Sequence, residues 1–144
     1  VKSLNDTQDE IIKEFEVFGD WMDKYNYLIE ISNDLPLIDP EFRNNDYIIN
    51  GCQSRVWLYA EYAGGKIRFT ADSDAIITKG IIALLIRVLS DRKPEEIMNA
   101  KLYFIDAIGL RQNLSPTRSN GLLAMVKQMK LYAIAFDAKN KMKN

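Results

Sequence analysis

The chain has 144 residues, 47% of them hydrophobic and 27% charged, with 19 basic residues against 20 acidic ones and a formal net charge of −1. That length suits one hydrophobic core, so a single domain over residues 1–144 is expected, and the balanced charge supplies no field to draw in nucleic acid. A lone cysteine and a complete lack of histidine exclude an internal disulfide, zinc sites built from His or paired Cys, and the Ser-His-Asp and Cys-His hydrolases. Any chemistry must therefore use Cys52, carboxylates, Lys, Arg or Tyr.

In chain order, Val1 to Asp6 lacks a basic segment followed by an apolar one, so no signal peptide is read there and a cytoplasmic location is the default expectation. Thr7-Gln8-Asp9-Glu10 reads as a capping box, followed by apolar Ile11, Ile12, Phe15 and Phe18, and predicts a first helix from Thr7. Gly19-Asp20 interrupts it. Trp21, Tyr25, Leu28 and Ile29 then share a face until Leu35-Pro36 stops the helix, making residues 7–35 a helical hairpin or bent pair. The segment Pro36 to Asp46 is a surface connection.

Val56, Leu58, Ala60 and Tyr62 alternate with Arg55, Trp57, Tyr59 and Glu61, the period of two that marks a half-buried strand. Gly64-Gly65 supplies a turn, and Ile67, Phe69 and Ala71 continue the alternation, so residues 54–71 form an antiparallel hairpin with Tyr47 to Ile49 at its edge. Asp72-Ser73-Asp74 offers cap side chains for an apolar helix over 75–89, which is too short and too interrupted to cross a bilayer. Lys93-Pro94 opens a short helix, Leu102 to Ile108 forms another ending at Gly109, and Ser115-Pro116 opens the last. In that last helix Leu122, Val126, Met129, Ala133 and Phe136 make one apolar seam. Its terminal Lys139, Lys141 and Lys143 read as a solvated helix end.

These elements predict an α+β fold in which helices cover one face of a small antiparallel sheet. Trp57 and Tyr59 lie on the second face, either as a partner surface or half-buried beneath a loop.

Cys52 follows Gly51 and precedes Gln53-Ser54 at the mouth of a strand. A polar loop suits a reactive thiol, whereas a buried, space-filling cysteine is the structural alternative. A nucleophilic thiol requires a cation, a helix start or amide donors to favour the thiolate. Arg118 is a candidate, because it sits in the first turn of the final helix, where it opposes the helix dipole. A surface salt bridge would equally account for it. Capping of the apolar helix accounts for at least one of Asp72 and Asp74.

Three separated blocks, Gly51-Cys52-Gln53-Ser54-x-Val56-Trp57-Leu58, Ala71-Asp72-Ser73-Asp74-Ala75-x-Ile77-x-Lys79-Gly80 and Leu114-Ser115-Pro116-x-Arg118-Ser119-Asn120-Gly121-Leu122, resemble the SufE family, with likeness running from about residue 10 to 136. The resemblance implies the α+β fold shared with IscU-type scaffolds. It also implies a sulfur acceptor that takes persulfide sulfur from a pyridoxal-phosphate cysteine desulfurase onto Cys52, stimulates that enzyme, and relays the sulfur to an iron–sulfur scaffold. The pyridoxal cofactor would be the partner's, and no cofactor, metal, membrane or nucleic acid is expected for this chain. Arg118 matches the family's Pro-x-Arg-Ser arginine and Asp74 the second aspartate of Asp-Ser-Asp, with Gly51 and Gln53 flanking the acceptor. Arg55 departs from the family's usual glutamine; it is either an extra cation lowering the thiol pKa or a solvent-facing side chain. The resemblance further suggests a resting thiol partly shielded in an apolar pocket. The alternatives are a non-covalent adaptor with a structural Cys52 and an iron–sulfur scaffold, the latter opposed by the single cysteine.

Overall fold

A computed structural model describes residues 2–143. Helix α1 (Leu4–Glu16) begins one turn earlier than expected. Its capping box is Ser3 with Asp6: the Ser3 Oγ accepts from the Asp6 amide at 3.0 Å, and the Asp6 carboxylate accepts from the Ser3 amide at 3.4 Å. Thr7 lies inside the helix, where its hydroxyl donates to the Ser3 carbonyl and accepts from Arg92. The added turn buries Leu4, a contact that a start at Thr7 would forfeit. Helix α2 (Trp21–Ile31) is capped by Asp20 and ends through a 3-10 turn, Ser32–Asp34, ahead of Leu35-Pro36.

Strands β1 (Val56–Ala63) and β2 (Lys66–Ser73) form the antiparallel hairpin, paired from Val56 with Ser73 to Ala63 with Lys66. Gly64 and Gly65 close it at φ +62° and +81°, the left-handed pair that a two-residue hairpin turn requires. Both edges are covered. Leu58 donates to the Tyr47 carbonyl and Ile49 to that of Val56 along one edge, while Ala71 bonds Pro36 and Ile38, and Ile67 bonds Asp91 and Arg92, along the other.

Val56, Leu58, Ala60, Ile67, Phe69 and Ala71 face the core. Helix α3 (Ile76–Leu89) runs through it and is buried along most of its length. It crosses α2 so closely that a Cβ on Gly80 would meet the Leu28 carbonyl oxygen at 2.2 Å, so the sequence spends a glycine inside a core helix. The second sheet face is covered by the 40–47 segment. The Arg43 guanidinium lies 4.1 Å over the Trp57 ring, and Phe42 stacks on Tyr59 at 4.0 Å with Tyr47 edge-on to it. Trp57 keeps only 6% exposure, so burial under a loop, not an open partner surface, is its state.

Short helices α4 (Pro94–Met98), α5 (Phe104–Ala107) and α6 (Leu110–Asn113) follow, with Gly109 at φ +82° separating the last two. Helix α7 (Pro116–Lys143) packs through Leu122, Met125, Met129 and Ala133, with Val126 and Phe136 partly buried beside them. The result is an α+β fold. No helix among the described residues is long and apolar enough to cross a membrane.

Candidate functional site

Cys52 sits on the loop entering β1, and the loop's shape comes from residues distant in sequence. Gly51 is at φ +93°, a left-handed conformation that a side chain would strain, and a Cβ there would come to 3.4 Å of Ala124. At the loop's exit, the Arg55 amide donates to the Asp74 carboxylate at 3.0 Å and the Asp74 amide donates to the Arg55 carbonyl at 3.2 Å. The Ser73 hydroxyl donates to the same carbonyl at 2.7 Å while accepting from the Ala75 amide. Asp72 instead pairs with Arg43 at 3.1 Å and Lys79 at 3.4 Å.

Neither aspartate therefore caps α3. Its N-cap is Ala75, and no side chain binds its first-turn amides. The expected caps are drawn away because β2 continues through Ser73, which leaves the Asp-Ser-Asp side chains facing the cysteine loop and the loop over the second sheet face.

The half-buried Cys52 opens on a cavity of about 150 Å³. Cys52, Gln53 and Ser54 form its loop side, Thr78 and Ile81 from the start of α3 its floor, and Thr117, Arg118, Gly121 and Met125 from the start of α7 its other wall. Two helix N-terminal ends, each carrying a partial positive charge, thus converge beside one sulfur. The Cys52 Sγ donates to the Gly121 carbonyl at 3.6 Å, and a Cβ on Gly121 would lie 3.6 Å from that sulfur. Gly121 therefore supplies both an acceptor and open space.

Arg118 is exposed at the cavity rim. Its guanidinium has no carboxylate partner within ion-pair distance among the described residues and donates to the Tyr25 hydroxyl at 3.3 Å. The surface salt bridge considered for it is not formed. Arg55 is exposed and points to solvent. Of the two readings of Arg55, the solvent-facing one agrees with its exposure; burial pushes the Cys52 thiol up, because a half-buried thiolate loses hydration without gaining a charged partner.

The structure brings Cys52, Gln53 and Arg118 to one cavity, with Gly51 shaping the loop. Asp74 acts one step away, through the Arg55 backbone. Sequence reading places Tyr25 on a helix face and Ser73 among the cap candidates, and gives neither of them, nor Thr78, a role at the site. Only Thr78 leaves a signal in the sequence, as a polar residue in an apolar helix.

Comparison with known proteins adds independent findings. The family described as "SufE: Fe-S metabolism associated domain" matches residues 9–133. The SufE-like protein 1, chloroplastic/mitochondrial, of Arabidopsis thaliana is 35% identical over 140 residues, covering 96% of this chain but 38% of the plant protein. An uncharacterized SufE-like protein of Rhizobium etli is 38% identical over 127 residues, covering 85% of this chain and 86% of that one. The solution structure of a hypothetical protein from Thermus thermophilus superposes with a TM-score of 0.74 at 21% identity, covering 90% of this chain and 94% of the other. That likeness shows the fold.

Proposed function

Because the chain belongs to the SufE family, its role is in iron–sulfur metabolism, and within that role we propose that Cys52 is the acceptor of persulfide sulfur from a pyridoxal-phosphate cysteine desulfurase. In the transfer, the Cys52 thiolate attacks the outer sulfur of the partner's persulfide. A new S–S bond forms on Cys52, the partner's S–S bond breaks, and its electron pair leaves on the partner's cysteine thiolate. The protein then relays the sulfur to an iron–sulfur scaffold and, by clearing the persulfide, stimulates the desulfurase. It is an accessory to that enzyme's turnover and works in the cytoplasm.

The observation that carries this reading is the cavity behind the sulfur. At about 150 Å³ it exceeds the roughly 30 Å³ share of one water molecule several times over, so a second sulfur atom fits beside Cys52. At rest the thiol is protonated, its hydrogen held by the Gly121 carbonyl, so docking of the partner must favour the thiolate. Arg118, whose guanidinium donates to the Tyr25 hydroxyl and forms no ion pair with a carboxylate of the described residues, is the rim cation placed to turn toward it. Asp74 fixes the loop's exit, Gly51 its bend, and Gln53 lines the approach.

Intact-mass spectrometry after mixing the protein with a cysteine desulfurase and cysteine tests the reading. The parent chain should gain the mass of one sulfur atom and Cys52→Ser none. No gain in the parent, with desulfurase turnover stimulated equally by both chains, would make the protein a non-covalent adaptor.

A further inference from the structure

The first turn of α3 holds a polar group that the fold does not use. Thr78 is the third residue of α3 and keeps 6% exposure, yet its hydroxyl makes no hydrogen bond to any described residue. No fully enclosed side-chain N or O atom among the described residues lacks a partner, so the Thr78 hydroxyl keeps some accessible surface, and the space that Thr78 lines is the Cys52 cavity. A hydroxyl at a largely buried position that finds no protein partner gains the fold nothing, and a valine would fill the same volume. Thr7, by contrast, satisfies its hydroxyl twice over. The helix start that carries Thr78 has no side-chain cap, so its free amides and dipole favour negative charge at this end.

We propose that Thr78 is a sulfur-binding residue, whose hydroxyl donates to the outer sulfur of the Cys52 persulfide in its anionic form, with the uncapped start of α3 as the supporting field. The inference rests on Cys52 as the acceptor and assigns the place where the transferred atom is held. A persulfide is more acidic than the parent thiol, so its outer sulfur carries negative charge under conditions where the resting thiol does not. Ile81 beside Thr78 and Met125 on the facing wall are apolar, and low local polarity strengthens a hydrogen bond made beside them; Gln53, Ser54 and Thr117 are the other polar uncharged side chains that line the cavity. Among the described residues Arg118 is the only cationic or carboxylate side chain lining the cavity, and it is unchanged in the variants below.

The test loads sulfur without a desulfurase. Inorganic disulfide anion is added to the parent chain, Thr78→Val and Thr78→Ser: the Cys52 thiolate attacks one sulfur of HS–S⁻, Cys52–S–S⁻ forms, and HS⁻ leaves. Intact mass confirms loading, and the rate of iodoacetamide capture across pH then gives the midpoint for the bound persulfide. Thr78→Val should raise that midpoint by about one pH unit, as loss of a hydrogen bond to an anion predicts, and Thr78→Ser should return it to the parent value. A midpoint unmoved in Thr78→Val, one not restored by serine, or a parent chain that takes up no sulfur would each overturn the assignment. Failure of a desulfurase to load the parent chain would count against the wider function and leave this result standing.

Discussion

Gly121→Ala separates stability from sulfur handling at a single atom. Gly121 lies in the interior of α7, where alanine is favoured over glycine by about 0.8–1.0 kcal/mol. The added Cβ would touch the Cys52 Sγ at 3.6 Å and its Cβ at 4.0 Å, ordinary contacts that subtract little from the gain. The expected net change is a stabilisation of about 1 kcal/mol, or a melting temperature about 3–5 °C higher for a chain of this size. The same methyl occupies space beside the reacting sulfur. Overpacking of a filled site costs about 1–3 kcal/mol, so sulfur uptake should slow about tenfold or more. Urea melts followed by circular dichroism read the first effect, and time-resolved intact mass with desulfurase and cysteine reads the second. A lowered urea midpoint, or uptake at the parent rate, would refute the idea that glycine is kept here for room at the sulfur.

Gly80→Ala should behave in the opposite way. Its Cβ would come within 2.2 Å of the Leu28 carbonyl oxygen, backbone that cannot swing aside, so a net loss of about 2 kcal/mol is expected after the helix-propensity gain; Gly19→Ala, with nothing within 4 Å, is the control that should hold its urea midpoint. Iodoacetamide should react with folded Cys52 at a midpoint above that of a free cysteine, because burial raises its pKa, and unfolding in urea should bring the midpoint down; equal midpoints would contradict shielding. A raised folded pKa also means that stability is full below the unfolded pKa of about 8.5 and declines as pH rises through the folded value, so Cys52→Ser should lack that alkaline decline. At the acid end, Arg87 hydrogen-bonds Glu14 and holds its carboxyl below the ordinary 4.5. That stability is present above 4.5 and lost as pH falls through the lower folded value, and Glu14→Gln should flatten this part of the pH–stability curve.

The hairpin, the order of the helices and the α+β class were determined by the sequence alone, because they rest on local patterns. Alternation from Val56 to Tyr62, the Gly64-Gly65 turn and the α7 seam involve residues within a few positions of one another, and each pattern selects its element without knowledge of the rest of the chain. The loop position of Cys52 was legible in the same way, as was membership in the family from its three blocks. Where local signals competed, the outcome was decided by burial: Ser3 displaced Thr7 as the cap because the extra turn buries Leu4.

The environment of Cys52 was decided only in three dimensions. Gly121 lies 69 residues from the sulfur whose proton it accepts, and Tyr25 lies 93 residues from the arginine it holds. Asp74 and Ser73 looked like helix caps until the hairpin register, which pairs Ser73 with Val56, turned both side chains onto the Arg55 backbone. Thr78 looked like a break in an apolar run until α3 and α7 closed a cavity over it. The direction of the thiol's pKa likewise required the fold: the sequence offers Arg55 and Arg118 as cations, but hydration and charge act through space, and it is the packing of two helices against one loop that removes water from the sulfur while leaving Arg118 at the rim.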